Sequence, residues 1–361
     1  MKQGWKTLKI EDICEILDAQ RKPVSKKDRH SGCYPYYGAT GIQDYVDAYI
    51  FDGRYLLVGE DGAKWGASDR TAFIVEGKCW VNNHAHILKL NHNVVDTFVE
   101  YYLTFKDLNE YITGAVVPKL TQQALRGIPI PIPPLSEQES IVAELDCLSG
   151  VIEKQKQQLK ELDNLAQAIF YDMFGDPITN EKGWEVKRLE DVSTLLNGRA
   201  YKQHELLNEG KYKVLRVGNF FTNDNYYYSD LELEDSKYCD NGDLLFAWSA
   251  SFGAFIWNGG KVIYHYHIWK VLYDVKVLNI EYYKFLLNAM TTYFMKDVHG
   301  IGMVHLTKCG MEQYILPLPP LSLQQEFASK IEAIEKQKEL IKQSLSETET
   351  LFNSRMDYYF N

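Results

Sequence analysis

The stretch "PIPIPPLSEQE" at residues 129–139 decides how this sequence is organised, because nearly the same phrase returns as "LPLPPLSLQQE" at residues 316–326. The closely spaced prolines exclude a helix through the first half of each phrase, since proline lacks an amide hydrogen and restricts the residue before it. Ser136 with Glu139 has the spacing of a capping box, and Ser322 with Gln325 repeats that spacing. Each phrase therefore predicts an extended segment followed by the start of a helix.

Four other stretches of the chain also occur twice, in the same order as the phrase. They are "GWKTLKIEDI" at 4–13 with "GWEVKRLEDV" at 183–192, "HAHILKL" at 84–90 with "HYHIWKV" at 265–271, "GAVVPKLT" at 114–121 with "GIGMVHLT" at 300–307, and "IEKQK" at 152–156 with "IEKQK" at 334–338. The shared order and the nearly constant offset indicate that the chain is two copies of one unit of about 180 residues.

Each copy reads as a mixed α/β lobe followed by a long helix. Short apolar runs at 54–62 and 243–251 predict strands, and residues 97–112 and 280–296 have helical spacing. After each proline phrase, apolar residues recur alternately four and three positions apart, which is the 3.5-residue period of a coiled coil. The predicted apolar seam comprises Ile141, Leu145, Leu148, Ile152, Leu159, Leu162, Ala166, Ile169 and Met173 in the first helix, and Phe327, Ile331, Ile334, Ile341, Leu345, Phe352 and Tyr359 in the second.

These patterns predict an α+β fold with two tandem lobes, each followed by a long helix. We place lobe 1 at 1–135, the first long helix at 136–176, lobe 2 at 177–321 and the second long helix at 322–361. Gly175 and Pro177 suit the end of the first long helix. We expect the two helices to pack as an antiparallel coiled coil with pseudo-twofold symmetry, with polar breaks in the seam at Gln155, Lys338, Thr348 and Arg355 fixing the register. The alternative is two unrelated surface helices, each packed on its own lobe.

The composition indicates a soluble globular protein, with 45% hydrophobic and 24% charged residues. The net charge of −10 argues against nucleic-acid binding, but most of the acidic excess falls in the two long helices, and lobe 1 is balanced. The 25 tyrosines suit either binding surfaces or β-rich cores. We find no apolar signal or membrane-length run, and we expect a cytoplasmic protein without a membrane partner.

The sequence lacks the common catalytic motifs. It contains no phosphate-binding loop, no HExxH, no GxSxG and no Asn-Pro-Pro-aromatic motif, and its six cysteines are scattered without a CxxC. The histidine pairs His84/His86 and His265/His267 could be metal ligands or structural or DNA-facing residues, and we favour the second interpretation because no partner ligand recurs. We therefore expect a non-catalytic chain without a metal.

The order of lobe, "PLPPLxxQxx" phrase and long helix, all of it repeated, resembles the specificity subunit of type I restriction–modification systems. The marks that carry this resemblance are the paired proline phrases, Leu120-Thr121 and Leu306-Thr307 upstream of them, and the long helices. The second copy departs slightly from the first, with Leu323 where the first has Glu137, and the chain is somewhat short for the family.

The resemblance implies a non-catalytic subunit that recognises double-stranded DNA. Each lobe would read one half of an asymmetric bipartite site, and the helices would set the spacing and recruit two modification subunits. S-adenosylmethionine, ATP and Mg²⁺ would bind to the modification and restriction (translocase) subunits, with no cofactor on this chain. The start of each long helix, just after the proline phrase, is the joint between lobe and helix. We assign four residues of the two joints to the partner-subunit interface, namely Glu137, Gln138, Leu323 and Gln324.

Polar, basic or aromatic side chains on loops at strand ends are the candidates for DNA contact. In lobe 1 these are Tyr37, Thr40, Lys64, Trp65, Asn83, His84 and Lys119, and in lobe 2 they are Arg199, Tyr201, Lys202, Asn219, Trp248, Ser251, His265 and His305.

Two rival interpretations remain at this point. One is a coiled-coil scaffold that displays two protein-binding lobes without recognising DNA, which the acidic charge and the tyrosine content favour. The other is the recognition part of a single-chain restriction enzyme, which the missing catalytic motifs disfavour.

Overall fold

The computed structural model describes residues 4–114, 116–221, 224–249, 251–295 and 306–361. The chain forms two compact units, one of residues 1–156 with 343–361 and the other of residues 157–342. We call them unit 1 and unit 2. The division falls within the long helices rather than at their ends, so each unit combines one lobe with parts of both helices. Within the described residues, the structure contains no helix that combines the length and apolarity needed to cross a membrane.

Unit 1 contains a mixed sheet flanked by short helices. Its strands are β1 (Lys6–Lys9), β2 (Cys14–Ile16), β3 (Ser31–Gly38), β4 (Gly41–Val46), β5 (Phe51–Gly59), β6 (Ala72–Val81), β7 (Ala85–Leu90), β8 (Ile112–Thr113), β9 (Lys119–Leu120) and β10 (Pro129–Ile132). Its helices are α1 (Ile10–Ile13), α2 (Asp96–Phe105), α3 (Gln122–Gly127) and the beginning of α4 (Leu135–Phe174). The six-stranded sheet has the order β2-β7-β5-β6-β3-β4, and β3 runs parallel to β6.

Unit 2 repeats part of this plan with a different sheet arrangement. Its strands are β11 (Glu185–Arg188), β12 (Ser193–Asn197), β13 (Tyr212–Leu215), β14 (Tyr227–Ser229), β15 (Tyr238–Cys239), β16 (Leu244–Ser249), β17 (Ser251–Ile256), β18 (Val262–Tyr264), β19 (Ile268–Tyr273) and β20 (Ile315–Leu318). Its helices are α5 (Leu189–Val192), α6 (Gly218–Phe221), α7 (Ile280–Ala289), α8 (Thr291–Phe294), α9 (Lys308–Glu312) and the beginning of α10 (Leu321–Phe360). One four-stranded sheet, β12-β19-β16-β17, matches β2-β7-β5-β6, and the other has the order β14-β13-β18-β15.

The proline phrases form edge strands. In unit 1 β10 pairs antiparallel with β1, and in unit 2 β20 pairs antiparallel with β11, each in a sheet of two strands. Proline is tolerated there because one side of an edge strand needs no amide donor. The extended segment that the sequence predicted is confirmed, and it returns each lobe to its own first strand.

The helix starts differ from the predicted capping boxes. The helices α4 and α10 begin at Leu135 and Leu321, so Ser136 and Ser322 lie inside the first turn rather than at the N-cap. The amides of Glu137 and Gln138 donate to the Pro134 carbonyl, which closes the first turn instead. At the other end the prediction is confirmed, since α4 stops at Phe174 and Gly175 follows with φ of +75°.

The lobe helices are shorter than predicted. In lobe 1, α2 ends at Phe105, and residues 109–111 form a separate 3₁₀ turn. In lobe 2, α7 ends at Ala289 and α8 continues to Phe294, while Lys296 lies outside the described residues.

A buried glutamine joins each long helix to its lobe. The Gln138 side chain accepts a hydrogen bond from the Val95 amide at 2.8 Å and donates to the Pro133 carbonyl at 2.9 Å and the Asn93 carbonyl at 3.4 Å. Val95 is the residue immediately before α2. The side chain therefore satisfies backbone groups of the proline phrase and of the lobe helix at the same time.

Gln324 repeats this arrangement in unit 2. Its side chain accepts from the Asn279 amide at 2.8 Å and donates to the carbonyls of Pro319 at 2.8 Å and Val277 at 2.9 Å. Both glutamines are almost fully buried, at 1% and 0% exposure for Gln138 and Gln324. The two joints are thus built from the same contacts.

The long helices run antiparallel in each unit, as predicted. In unit 1, Glu144 of α4 pairs with Arg355 of α10, while Gln155 farther along α4 donates to Ser344 earlier in α10. In unit 2, Lys338 of α10 pairs with Asp163 of α4 at 2.7 Å. Three of the predicted polar breaks in the seam are therefore points of contact between the helices.

The C-terminal end of each long helix completes the core of a lobe. In unit 1, Met356 and Phe360 of α10 join the core with Trp5 and Phe98. In unit 2, Phe170 and Phe174 of α4 pack beside Tyr282 and Phe327. The predicted seam is confirmed at Ile141, Leu145, Ile152, Ala166, Phe327, Ile331 and Ile334, which are buried. At the helix ends the buried positions also include Phe170 and Met356, which the predicted seam omits and which join the lobe cores.

The helix bounds and the backbone hydrogen bonds correct the register of two sequence repeats. Both long helices are 40 residues long, so they match end to end at an offset of 186, and "IEKQK" recurs one turn out of register. In the lobes, the amide of Glu60 donates to the His84 carbonyl, and the amide of Trp248 donates to the His267 carbonyl. His84 is therefore equivalent to His267 rather than to His265. Strand alternation explains the error, since a shift of two residues keeps each side chain on the same face.

The joint predicts a local effect on stability. Replacing Gln324 by Leu would leave the Asn279 amide and two carbonyls without their buried partner, and we expect the free energy of unfolding to fall by about 2–4 kcal/mol. Urea unfolding followed by circular dichroism measures this change.

The adjacent Gln325 is exposed on the same helix turn and provides the matched control. Gln325→Leu should change the free energy of unfolding by less than about 0.5 kcal/mol. Equal losses for the two variants would contradict a structural role for the buried amide.

Candidate nucleic-acid interface

Several loops meet at one edge of the lobe 1 sheet. The Asn82 amide donates to the Tyr37 carbonyl at 3.1 Å, and Asp61 forms an isolated bridge with Lys119. The His84 ring contacts the Asp61 carboxylate, and its side chain is 46% exposed. Thr40, Lys64 and Asn83 are exposed on the same loops. These predicted residues therefore lie together on one surface, which we call the lobe 1 loop edge.

A buried polar cluster lies beneath this edge, formed by Asp18, Arg21, Glu60, His86 and Gln122. The Arg21 guanidinium contacts the Glu60 carboxylate at 2.5 Å, and Lys119 contacts its other oxygen at 2.6 Å. The His86 ring lies between the Asp18 carboxylate at 2.6 Å and the Leu120 carbonyl at 2.8 Å. The two buried carboxylates thus have two cationic neighbours, the mostly buried Arg21 and the 40% exposed Lys119.

The pairing shifts the titration of both carboxyl groups. Burial alone would raise the pKa of Asp18, but its hydrogen bond to His86, with contributions from Gln122 and Arg21, outweighs burial and lowers the pKa. Burial likewise opposes the lowering of the Glu60 pKa, and the contacts with Lys119 and Arg21 outweigh it. Both groups are therefore held in the charged form by the native structure.

Asp18, Glu60 and His86 are also close enough to share a metal ion, with one ligand atom from each within 4.8 Å of the others. The surrounding contacts do not suit a cation, because Arg21 and Lys119 already neutralise the carboxylates and the His86 Nε2 is directed at a carbonyl. This arrangement is a charge network of the protein itself.

In lobe 2, one group of predicted residues surrounds Arg199. Its guanidinium makes two hydrogen bonds to Glu205, at 3.0 and 2.7 Å, and lies 5.3 Å from the Tyr201 ring. His265 stacks on Tyr201 at 6.4 Å. Burial, with the charges of His267 and Arg216, lowers the pKa of His265 to about 4, so its ring is neutral at neutral pH.

A second group in lobe 2 is aromatic. Trp248 stacks on the buried Trp269 at 5.3 Å and meets the edges of Tyr266 and His267 at 5.9 and 5.2 Å. We call this group the lobe 2 aromatic cluster. This cluster occupies the place in lobe 2 that the buried polar cluster occupies in lobe 1. The Leu306 amide donates to the Trp248 carbonyl, just as the Leu120 amide donates to the Glu60 carbonyl.

Several predicted contact residues have structural roles instead. Trp65 is buried at 6% exposure and donates to the Gly59 carbonyl, so its side chain offers little surface for contact with DNA. Asn219 uses its side chain within its own turn, accepting from the Arg216 amide and donating to the Asn225 carbonyl. Lys202 is exposed and Ser251 half-buried, whereas His305 lies outside the described residues.

The joint residues also differ from the sequence-based assignment. The amides of Gln138 and Gln324 are buried and committed to backbone groups of their own lobes, so these side chains offer no surface to a partner subunit. Glu137 is half-buried and accepts a hydrogen bond from Trp5 at 3.0 Å, and Leu323 packs against the unit 2 core.

Arg21, Glu60, Asp18 and Gln122 were missed by sequence reasoning. They come from three segments that lie far apart along the chain, with Asp18 and Arg21 in the first, and no motif joins the segments. The only available signal was His86, which the sequence placed on a strand near its end.

Comparison with known proteins agrees with the duplicated architecture. The family model described as "Type I restriction modification DNA specificity domain" matches residues 2–164 and 181–350. The chain belongs to the type I restriction–modification specificity family. As a specificity subunit it is the DNA specificity component and is not itself catalytic, and the cofactors of such systems reside on the modification and restriction subunits.

Full-length relatives support the assignment. The chain is 28% identical to the putative type I restriction enzyme specificity subunit S.HindORF215P of Haemophilus influenzae, over 98% of this chain and 93% of the relative. It is 20% identical to the MjaVIII specificity subunit of Methanocaldococcus jannaschii, over 92% and 86% of the two chains. The fold is similar to the crystal structure of the type I system S subunit from M. genitalium, with TM-score 0.60, 12% identity and coverage of 98% and 95%.

The buried polar cluster of the specificity subunit predicts a specific acid sensitivity. A depressed carboxyl pKa contributes stability above the unfolded-state value near 4, and this stability is lost as the pH falls through the folded-state value. We expect Asp18→Asn to reduce the loss of unfolding free energy between pH 6 and pH 3, and urea unfolding at both values measures it.

Asp52 is exposed in the same unit, and Asp52→Asn is the matched control. It should leave the acid-dependent loss as large as in the unaltered chain. An equally steep loss in the Asp18 variant would show that the cluster does not determine the acid sensitivity.

Proposed function

We propose that lobe 1 and lobe 2 each read one half of an asymmetric bipartite sequence in double-stranded DNA. One observation carries this proposal: equivalent backbone positions in the two lobes hold different side chains. Glu60 in lobe 1 corresponds to Trp248 in lobe 2. The carbonyl of each accepts a hydrogen bond from the equivalent leucine amide of its lobe, Leu120 or Leu306. A common frame that supports its loops with different side-chain chemistry suits two readers of different base sequences.

The proposed contacts on the lobe 1 loop edge are polar and basic. Lys64, Asn83 and His84 offer donors that suit phosphate oxygens and base edges. In lobe 2 the proposed contacts are Tyr201, Lys202 and the exposed rim of the aromatic cluster. Lys119 and Arg199 are already paired with Glu60 and Glu205, and each would approach DNA as part of an ion pair.

The long helices would set the spacing between the two half-sites. Each contains 40 residues, which corresponds to roughly 60 Å at 1.5 Å per residue. Successive equivalent faces of B-DNA recur at about 34–36 Å, so a rigid element of this length is suited to hold two readers in register. The buried glutamine joints would transmit that rigidity to each lobe.

The specificity subunit would recruit two modification subunits through the outer surfaces of its joints and long helices, with restriction subunits joining the complex. Support comes from a similar solved structure that concerns complex assembly and conformational transition of the type I R-M system, with TM-score 0.56 and 16% identity over 100% of this chain and 98% of the other. Exposed residues beside the buried glutamines, such as Gln325 and Glu139, replace Gln138 and Gln324 as proposed contacts. A cytoplasmic location is part of the same proposal.

The protein-scaffold alternative has lost its support. Its basis was the acidic charge and the tyrosine content, whereas the family match covers both lobes. The fully buried Tyr36, Tyr264, Tyr282 and Tyr283 also show that many tyrosines serve the cores.

A charge-removal experiment tests the proposed reading surface. Lys64→Ala, measured in the chain assembled with its modification subunits, should weaken DNA binding and reduce the slope of log affinity against log salt by about 0.9 for one lost phosphate contact. Gel-shift titration at several salt concentrations measures the slope.

Lys89 lies at the opposite end of β7 from His84 and is exposed. Lys89→Ala removes the same charge and should leave the slope unchanged. If Lys64→Ala also leaves it unchanged while the unaltered complex binds DNA, the lobe 1 loop edge is not the phosphate-contacting surface.

A further inference from the structure

Arg21 occupies the centre of the buried polar cluster in lobe 1. Its side chain is 12% exposed, and it contacts Glu60, which is 9% exposed by side chain. The Nε also donates to the Asp18 carbonyl at 3.1 Å. With its polar atoms committed to these neighbours, Arg21 presents little surface to a phosphate.

Arg21 also holds the backbone on both sides of His84. Its Nη1 donates to the Ala85 carbonyl at 2.8 Å and contacts the Asn83 carbonyl at 3.4 Å. Asn82, one residue earlier, accepts from the His84 amide at 2.7 Å. The path of the chain through the exposed His84 therefore depends on a guanidinium beneath it.

The same cluster supports the second segment of the lobe 1 loop edge. Lys119 is anchored through Glu60, and the following Leu120 carbonyl accepts from His86 at 2.8 Å. Gln122 closes the cluster with a 2.9 Å hydrogen bond to Asp18. Two loops that are distant in sequence are thus held to one set of buried charges.

Lobe 2 shows that the repeated architecture does not require this charge cluster. At the positions of Glu60 and His86, lobe 2 has Trp248 and Trp269, which stack on each other at 5.3 Å. The matched strands form with an aromatic pair in place of the ions. Burying ionised groups carries a desolvation cost, so the cluster of lobe 1 calls for a role specific to that lobe.

We infer that Arg21 is a positioning residue for base readout by lobe 1, which acts by fixing residues 83–85 and 119–120 without contacting DNA itself. This inference rests on the proposed function. It assigns part of the sequence specificity of one half-site to a side chain below the reading surface, since displaced loops would misplace donors relative to base edges.

Selection from randomised duplex DNA tests this inference. The full chain, assembled with its modification subunits, is used to enrich a duplex library with random bases, and the enriched sequences are compared for the unaltered complex, Arg21→Gln and the control Lys89→Gln. We expect Arg21→Gln to lose about tenfold or more of its base preference in one half-site, while the other half-site keeps its preference. The salt slope of binding should stay unchanged, and Lys89→Gln should select the same motif as the unaltered complex.

Three outcomes would overturn the inference. An identical bipartite motif for Arg21→Gln refutes positioning alone, and a salt slope lowered by about 0.9 identifies Arg21 as a direct phosphate contact instead. Failure of the unaltered complex to enrich any sequence refutes the proposed function, and the inference with it.

Glu60→Gln provides a second route when Arg21→Gln does not assemble. This variant keeps the side-chain volume and removes the charge that pairs with both Arg21 and Lys119. The same one-sided loss of base preference supports the inference, and an unchanged motif overturns it.

Discussion

The rest of this structure depends on a buried amide used twice. Gln138 and Gln324 each reach from the first turn of a long helix to the backbone before a lobe helix, and each also satisfies a carbonyl of the adjoining proline segment. Prolines cannot supply the amide donors that would otherwise close such a corner, and a side-chain amide has both a donor and an acceptor to replace them. At each joint a single side chain therefore ties a 40-residue helix to the backbone of its lobe, next to the apolar contacts of the following turns.

The far ends of the antiparallel helices also hold the lobes, because they pack into the lobe cores. The helix that leaves lobe 1 ends with Phe170 and Phe174 in the core of unit 2, and the helix that leaves lobe 2 ends with Met356 and Phe360 in the core of unit 1. Each core is thus unfinished without residues from the other copy of the repeat. Duplication here contributes to the cores as well as to the presentation of two readers, because each core includes apolar side chains from the other half of the chain.

The apolar periodicity and the positions of proline and glycine were enough to predict most of the fold from the sequence. They predicted little of the candidate site. The proline phrases, the end at Gly175 and the helical seam depend on local chemistry, which a single sequence displays. The capping prediction for Ser136 failed because the helix already begins at Leu135, with the Pro134 carbonyl accepting from the amides of its first turn. The histidine register failed because a shift of two residues preserves the face of a strand. The cluster around Arg21 joins segments as distant as Asp18 and Gln122, which are 104 residues apart, and only tertiary structure brings them together.

The contrast between charge in lobe 1 and indole rings in lobe 2 bears on how such a protein can acquire a new specificity. The frame of each lobe is held by backbone pairing of the strands, by the joint and by the helix ends, and none of these contacts uses the side chains of the Glu60 and Trp248 positions. Glu60 and Trp248 occupy equivalent backbone positions, and their carbonyls accept from the amides of Leu120 and Leu306, respectively. Side chains beneath the proposed DNA-contact loops can therefore change completely while the frame persists. Changes at this buried level would redirect several loop residues at once, whereas a substitution on the surface alters one contact at a time.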